Sequence, residues 1–307
     1  MDYVKTETGG DQGSSNTRNA PAGRDSDPKV LRLLRTSFRI INKTAPWLGG
    51  RWAYWLWFRT HRFPESRREQ EFRSSAQGFT FAYKGKPLAV YSWGEGPVVL
   101  LAHGWNGRAT QFWRFIDPLV QAGFRVVAFD LPAHGQSAGN STDLFKIAES
   151  IRLVSNQFGP VHGVIAHSLS NAALVMALRD GLSTNRVVCI SPPGQSVVML
   201  KNYAEALELS SGMQERLLKH FLRDYGDDVW KKTSAVQNVQ ELSIPALVIH
   251  DKDDREVTWK EGKDLANSWP GAEFMLTESL GHRRILRNPA IVDRSVEFLS
   301  SGSKGIE

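Results

Sequence analysis

The sequence predicts an α/β fold: a mostly parallel sheet of eight strands, with a helical cap inserted after the sixth strand. Three observations predict this fold. First, two apolar runs follow each other directly, beginning at residue 79. Second, the later apolar runs alternate with helix-like stretches. Third, a long stretch of helical periodicity separates the sixth apolar run from the seventh. Because alternating strands and helices form parallel sheets, the two leading strands are expected at an antiparallel edge.

The strands are predicted from short runs rich in β-branched, aromatic and other apolar residues. They are expected at residues 79–83, 88–93, 98–103, 125–130, 161–167, 186–191, 246–250 and 272–276. The helix-like stretches of the cap lie at 197–209, 213–224 and 228–238. The main body is therefore expected to comprise residues 78–191 and 244–307, with the cap at 192–243.

At 307 residues the chain fits one large domain with accessory segments. It has no apolar run near the length of about eighteen residues that a membrane-spanning helix needs. Residues 1–27 form a polar leader that is expected to be disordered and lacks the pattern of a secretory signal. Cys189 is the only cysteine, which excludes an internal disulfide. These features favour a cytoplasmic protein.

The positive charge of the chain is concentrated in one segment. Residues 28–75 contain eleven Lys or Arg against three Glu, whereas the formal net charge of the whole chain is only +6. The main body is therefore close to neutral. Because proteins that bind nucleic acid usually carry a basic face on the folded domain itself, no nucleic-acid partner is expected.

This basic extension, residues 28–77, is expected to be helical. The predicted helix over 29–43 has a basic stripe and an apolar stripe, formed respectively by Arg32, Arg35, Arg39 and Lys43, and by Val30, Leu31, Leu34, Phe38 and Ile41. Residues 46–58 then hold four of the ten tryptophans. Two interpretations remain open: the aromatic face packs on the main body, or residues 28–63 lie on a membrane surface.

A serine lies between the fifth strand-like run and the helix-like run that follows it. Ser168 has the small residues Ala166 and Ser170 two positions before and after it. A serine on a tight turn between strand and helix needs small neighbours, because its backbone is crowded, and its hydroxyl then stands clear of the sheet. The pattern predicts that Ser168 is a nucleophile.

Two later segments supply the partners that an activated serine needs. Asp254 follows the seventh strand-like run within a cluster of carboxylates, and His282 follows the eighth. A histidine removes the serine proton, and a carboxylate holds the histidine in the required orientation. Ser168, Asp254 and His282 are therefore the predicted catalytic residues.

With these motifs, residues 78–300 resemble the α/β-hydrolase superfamily. Segment 98–107 is similar to the family's third strand and oxyanion loop, and segment 130–137 is similar to its Asp-x-Pro-x-His-Gly-x-Ser turn. The sequence departs from the family at one position, because Asp251 replaces the glycine that usually lies three residues before the acid. Asp251 and Asp253 are expected to be exposed turn residues.

The resemblance implies that the backbone amides of Trp105 and Leu169 form the oxyanion hole. Trp105 and His167 are candidate substrate-binding residues. Structural roles are the alternative for several polar residues near these motifs. His103 and His167 would then support the oxyanion loop and the turn at Ser168, His134 would brace a turn, and His250 would be a buried residue of a strand. Arg283 and Arg284 would be solvated rather than bound to a substrate carboxylate.

The resemblance also implies a function: hydrolysis of carboxylic esters of small to medium acyl chain through an acyl-enzyme on Ser168, with a small-molecule ester as partner. The same triad serves thioesterases, lactonases, amidases and carbon-carbon hydrolases, which remain alternatives. No phosphate-binding loop or metal-ligand spacing is present, so no cofactor or metal is expected. A membrane-surface binding or signalling module with a non-catalytic hydrolase scaffold is the alternative from another class. Composition does not predict an oligomeric state.

Overall fold

A computed structural model describes residues 28–301, so the predicted polar leader lies outside the described residues. Within this range eight strands form one sheet. They are β1 (Gln77–Tyr83), β2 (Lys86–Trp93), β3 (Val98–Ala102), β4 (Arg125–Phe129), β5 (Val161–His167), β6 (Thr184–Ile190), β7 (Ala246–Asp251) and β8 (Glu273–Thr277). Each strand begins and ends within two residues of its predicted bounds.

The strand order in the sheet is β1-β2-β4-β3-β5-β6-β7-β8. The pairs β1/β2 and β2/β4 are antiparallel, and all others are parallel. The mostly parallel sheet with an antiparallel edge is thus confirmed. The central strands β3 and β5 are buried almost throughout because helices cover both faces of the sheet.

The helices of the described residues number thirteen, besides two short 3₁₀ segments. They are α1 (Pro28–Thr44), α2 (Pro46–Trp57), α3 (Arg67–Ser75), α4 (Trp113–Gln121), α5 (Leu144–Phe158), α6 (Ser170–Arg179), α7 (Ser196–Ala206), α8 (Ser211–Tyr225), α9 (Val229–Lys232), α10 (Ala235–Asn238), α11 (Trp259–Ser268), α12 (Gly281–Arg284) and α13 (Pro289–Ser300). None of the helices that can be described is both long enough and apolar enough to span a membrane.

Two apolar cores lie on the two faces of the sheet. One contains Ile147 and Ile151 of α5 together with α6 residues, and the other contains Phe115 of α4 and Ile291 and Phe298 of α13. Because parallel strands end at the same edge, the loops after β3, β5, β7 and β8 meet there. This edge carries the residues that the sequence singled out.

The helices inserted between β6 and β7 are α7 to α10, hereafter the inserted helices. The first two begin within two residues of the predicted stretches, although α7 ends three residues before the predicted end at 209. The predicted helix over 228–238 is two short helices. The Thr233 hydroxyl donates to the carbonyl of Val229, and the Ser234 side chain accepts from the amide of Gln237 and begins a new helix. Local side-chain bonds of this kind compete with helix continuation.

The basic extension packs on the inserted helices. Phe38 of α1 and Ala53 of α2 are buried in a third apolar cluster that also contains Leu217 and Phe221 of α8. The arginine stripe does not remain wholly solvated, because the Arg35 guanidinium donates to the carbonyl of Ala206. The inner face of the extension is therefore part of the folded structure.

Close approach of α2 to α8 depends on small residues. A Cβ atom on Gly50 would lie 2.5 Å from Cβ of Arg216 and 3.0 Å from the carbonyl oxygen of Met213. Gly50→Val is expected to lower the free energy of unfolding by about 1–3 kcal/mol, because the helices must separate. Urea denaturation measures this change.

Gly212 of α8 provides the matched control, since a Cβ there would have no heavy atom within 4 Å. Gly212→Val is expected to be nearly neutral, because Val and Gly differ little in helix propensity. Equal stability losses in the two variants would contradict a tight α2/α8 interface.

Candidate active site

Ser168 lies in the tight turn between β5 and α6. Its φ angle is 55°, in the left-handed region that a residue with a side chain rarely adopts. The turn is held by backbone and side-chain bonds, because the Ser168 amide donates to the carbonyl of Ile190 and the Asn171 side chain donates to the carbonyls of both residues. The backbone strain is thus offset by local hydrogen bonds, and the Ser168 hydroxyl is presented at the sheet edge.

The three predicted catalytic side chains are hydrogen-bonded to one another. His282 Nε2 lies 2.9 Å from Ser168 Oγ, and His282 Nδ1 lies 2.7 Å from Asp254 Oδ2. An ionised carboxylate only accepts hydrogen bonds, so Nδ1 carries the proton and Nε2 is free to accept from the serine. The arrangement is that of a nucleophile, a base and an orienting acid.

Asp254 is buried, and its two oxygens have separate partners. Oδ1 accepts from the amides of Glu256 and Val257, whereas Oδ2 faces His282 and lies 3.3 Å from Nε2 of His250. Burial raises the pKa of Asp254, but the hydrogen bonds from His250 and His282 outweigh it and hold the pKa well below the ordinary value of a carboxyl. The carboxylate is therefore charged at neutral pH.

The position of Asp251 differs from the sequence expectation. Asp253 is exposed as predicted, but Asp251 is fully buried. Its Oδ1 accepts from the amide of Gly281, and its Oδ2 accepts from the Thr277 hydroxyl. Asp251 at the end of β7 therefore holds the segment that carries His282, and the residue that replaces the family's glycine positions the loop of the base.

The loop after β3 approaches the Ser168 turn closely. A Cβ on Gly104 would lie 2.8 Å from Cβ of Ser168 and 2.9 Å from Nδ1 of His167, so only glycine fits there. The next residue, Trp105, and the residue after the serine, Leu169, flank the nucleophile from these two segments. The amides of these two residues remain the predicted oxyanion donors.

Three buried histidines support these loops. His103 Nδ1 donates to the carbonyl of Gly104, and its Nε2 accepts from the Leu131 amide. His134 accepts from the Asn106 amide. His167 Nε2 donates to the carbonyl of His282. Both ring nitrogens of His103 are thus occupied by the backbone, and these side chains fix the shape of the site.

These rings make the fold sensitive to acid. Burial is the main cause that lowers the pKa of His134 to about 4 and that of His167 to about 3, and it holds the pKa of His103 well below its usual value. In the unfolded chain each ring binds a proton near pH 6.5. Below that pH the unfolded state takes up protons that the folded state cannot, so each ring lowers stability by at most about 1.4 kcal/mol per pH unit.

The free energy of unfolding is therefore expected to fall steeply from about pH 6.5 towards pH 5 and to be insensitive to these rings above about pH 7.5. Urea titrations at a series of pH values measure the slope. His134→Gln is expected to reduce the slope by about one proton, whereas His61→Gln, at an exposed position, serves as control. A flat profile between pH 7 and pH 5 would contradict this assignment.

An apolar cavity adjoins the triad. Its lining includes Trp105 and Leu169, the residue that follows Ser168, but not the triad side chains themselves. Its other apolar and aromatic lining residues come from the inserted helices, the start of α5 and the end of α2, and are Trp57, Phe58, Leu144, Phe145, Met199, Phe221, Tyr225, Val229 and Trp230. The few polar groups include the Thr142 hydroxyl, which has no hydrogen-bond partner among the described residues. The cavity is suited to an apolar chain.

Three other candidate binding residues, His167, Arg283 and Arg284, do not line the cavity. His167 is buried beneath the base and does not line the cavity, so the structural role is the one that its contacts favour. Arg283 is exposed and lies 3.3 Å from Glu256, and Arg284 donates to the carbonyl of Leu280. Neither arginine is among the cavity residues.

Sequence reasoning missed part of the site. The contact of His250 with Asp254 was not anticipated, nor was the contribution of Trp57 and Phe58 of the extension to the cavity wall. The tryptophan-rich composition of 46–58 was the only available signal, and it did not specify a partner. Within the described residues no group of three or more His, Cys, Asp or Glu side chains could hold a metal ion.

The chain is similar in sequence to curated hydrolases. The chain is 28% identical over 242 residues to a 2-hydroxy-6-oxononadienedioate/2-hydroxy-6-oxononatrienedioate hydrolase of Klebsiella pneumoniae, covering 64% of this chain and 81% of the relative. It is 26% identical over 237 residues to a pimeloyl-[acyl-carrier protein] methyl ester esterase of Hamiltonella defensa, covering 64% of this chain and 90% of the relative.

The fold is similar to that of solved structures as well. A putative lipase from Acinetobacter baumannii superposes with a TM-score of 0.61 at 16% identity, covering 78% of this chain and 98% of the lipase. The sequence pattern of the alpha/beta hydrolase family matches residues 98–294, a range that contains Ser168, Asp254 and His282. The chain therefore belongs to the alpha/beta hydrolase family.

Proposed function

We propose that this protein hydrolyses carboxylic esters of small to medium acyl chain through an acyl-enzyme on Ser168. The observation that carries the proposal is the continuous line of hydrogen bonds from Ser168 through His282 to Asp254. A serine hydroxyl is a weak nucleophile unless a base removes its proton during attack. The line supplies that base and the carboxylate that stabilises its cation.

In the proposed reaction, Ser168 Oγ attacks the ester carbonyl while its proton moves to His282 Nε2. The amides of Leu169 and Trp105 donate to the resulting oxyanion, and each such donor contributes about 3 kcal/mol to transition-state stabilisation. The proton on His282 then passes to the departing alkoxide, which leaves as the alcohol. Water attacks the acyl-enzyme with His282 again as base, and the carboxylic acid is released.

The apolar cavity supports the choice of acyl group. Its lining is dominated by aromatic rings, and Phe145 stacks on Tyr225 with ring centroids 5.2 Å apart. Such a wall favours an alkyl or aryl chain over a polar one. The names of the relatives support both an esterase and a carbon-carbon hydrolase as reaction types, and the same triad could serve either.

A series of p-nitrophenyl esters tests the proposal. Turnover is expected for acyl groups from acetate to octanoate and to decline for laurate. A 2-hydroxy-6-oxohexa-2,4-dienoate, assayed by loss of its chromophore, tests the carbon-carbon alternative in parallel. Turnover of the dienoate with no ester hydrolysis would overturn the ester assignment, and absence of both reactions would favour a scaffold without hydrolase activity.

We also propose that the outer face of the extension binds an anionic bilayer surface. Val30, Leu33 and Ile40 of α1 and Trp47 of α2 are about half or more exposed, at 48%, 65%, 58% and 60%. They are exposed, and none of them belongs to the apolar cluster that the extension forms with the inserted helices. The segment is strongly basic, and apolar residues with neighbouring cations are typical of helices at a membrane surface.

Sedimentation with phosphatidylserine-containing vesicles tests membrane binding in the full chain. Leu33→Gln/Ile40→Gln is expected to lower the bound fraction several-fold, because these side chains would insert between headgroups. Val197→Gln/Leu276→Gln removes exposed apolar side chains elsewhere and is the control. Equal sedimentation of the two double variants would contradict the proposal, as would equal binding to neutral vesicles.

A further inference from the structure

A second concave site, hereafter the basic groove, lies beside the apolar cavity. It is lined by residues of α2 and the turn after it, by the segment 141–146 and by α8. Four cationic side chains line it, namely Arg51, Arg59, Lys146 and Arg223. The only carboxylate of the lining is Asp143, so the groove carries an excess of positive charge.

Two of these cations are already paired. Lys146 Nζ lies 2.6 Å from Asp143 Oδ2, and Arg223 Nε lies 2.7 Å from Asp224 Oδ1. Neither Arg51 nor Arg59 has a carboxylate within 4 Å among the residues that the structure describes. The positive charge that can attract a ligand is therefore that of Arg51 and Arg59.

Arg59 is held in a defined orientation. Its guanidinium lies over the ring of Trp55, 3.9 Å from the centroid, and its backbone pairs with Ser141 in an isolated bridge. A guanidinium stacked on a ring keeps its N–H groups directed outward in the plane of the fork. This arrangement is suited to the paired oxygens of a carboxylate or a phosphate.

The groove and the cavity share a wall. Phe58, Asp143 and Tyr225 line both of them, and the lining of the cavity also includes Trp105 and Leu169, the residue after Ser168. Because the two concave sites meet at these residues, a chain that runs through the cavity from a carbonyl at Ser168 would bring its far end next to the groove.

We propose that the basic groove binds an anionic group at the far end of the substrate, through Arg51 and Arg59, so that the preferred substrates are esters or thioesters with an apolar middle and a terminal anion. The inference rests on the proposed acyl-hydrolase function. The anion is either a carboxylate at the end of the acyl chain or a phosphate in the leaving group.

Matched substrate pairs test the inference and distinguish the two sources. The acyl arm compares p-nitrophenyl hydrogen adipate with p-nitrophenyl hexanoate. The leaving-group arm compares S-hexanoyl phosphopantetheine with S-hexanoyl N-acetylcysteamine. In one of the two arms, kcat/KM is expected to be at least about tenfold higher for the anionic substrate than for its neutral partner. The difference is expected mainly as a lower KM, because a charge-assisted hydrogen bond strengthens binding by about this factor. High salt is expected to reduce the preference.

Arg51→Gln/Arg59→Gln is expected to bring the ratio of anionic to neutral kcat/KM close to one. The matched control is Arg67→Gln/Arg68→Gln, which removes the same two charges from exposed positions on α3 and leaves the ratio unchanged. A wild-type ratio near one in both arms, or a preference retained by the groove variant, would overturn the inference while leaving hydrolysis of the neutral esters, and so the proposed function, intact.

A binding measurement makes the inference independent of turnover. Calorimetry of Ser168→Ala with adipate and with 4′-phosphopantetheine is expected to detect binding of one anion and to lose it in the Ser168→Ala/Arg51→Gln/Arg59→Gln variant. Binding without turnover of any ester would reject the proposed function and keep the groove. Absence of binding to both anions would reject the groove.

Discussion

Ser168→Ala is expected to lower the kcat for p-nitrophenyl esters by about 10⁴-fold or more. The hydroxyl is the only group at the turn within hydrogen-bond distance of His282 Nε2, at 2.9 Å, among the residues that the structure describes. Without it no acyl-enzyme forms, and only the oxyanion donors and substrate binding remain to assist attack by water. Initial rates at saturating ester measure the loss.

Covalent labelling with a fluorophosphonate checks the same residue directly. The wild-type protein is expected to be labelled once per chain, at Ser168, because an activated serine attacks phosphorus as it attacks a carbonyl. Burial raises the pKa of Cys189 to about 12, so this thiol is not expected to compete.

Ser170→Ala serves as the control two residues away. The Ser170 hydroxyl donates to the carbonyl of His103 and does not contact His282, so this variant is expected to retain the label. Labelling that persists in Ser168→Ala would assign the nucleophile elsewhere. A wild-type protein that does not react would favour the scaffold interpretation, provided that circular dichroism shows both proteins to be folded.

The fold could be predicted largely because its signals are local. The central strands are short apolar runs whose burial on both faces leaves little alternation, and turn residues delimit them. The split of the third inserted helix was not predicted, because it depends on whether Thr233 and Ser234 bond to nearby backbone or extend the helix. Periodicity alone does not distinguish these outcomes.

The catalytic residues could be predicted because the reaction needs a serine, a carboxylate and a histidine, and these occur in the chain order that the fold uses. The three side chains predicted to act together are hydrogen-bonded in the structure, and Trp105 lines the apolar cavity. The burial of Asp251 was not predictable, because a carboxylate in a charged cluster looks solvated until the backbone amide of Gly281 and the Thr277 hydroxyl are known to face it. Such partners are tertiary contacts.

The packing of the extension could not be predicted either, because it also depends on tertiary contacts. The apolar stripe of α1 predicted a helix that must bury one face, but not the neighbour that covers it. The close approach of α2 to α8 at Gly50, and the place of Trp57 and Phe58 in the cavity wall, are tertiary contacts of the same kind. Composition alone favoured packing and membrane binding alike. The structure separates the two faces, since the inner one is buried on the inserted helices and the outer one is exposed.

Asp254→Asn is expected to lower kcat by about 10³–10⁴-fold while the protein stays folded. An asparagine amide can donate to His282 Nδ1, which places the ring proton on Nε2, where it can no longer accept the Ser168 proton. The exposed Asp253 is the matched control. Its carboxylate accepts from the Ser279 amide, a bond that an asparagine oxygen can keep, so Asp253→Asn is expected to change kcat less than about threefold.

The double variant Ser168→Ala/Asp254→Asn determines whether Asp254 acts through the histidine. If the carboxylate only orients and stabilises the ring of His282, it contributes nothing once the serine hydroxyl is absent, and the double variant should be no slower than Ser168→Ala alone. A further loss of tenfold or more would show that Asp254 has a second role, independent of the hydrogen bond from His282 Nδ1. His250→Ala, which removes the other imidazole near Asp254 Oδ2, should produce a smaller loss of the same kind, also absent in the Ser168→Ala background.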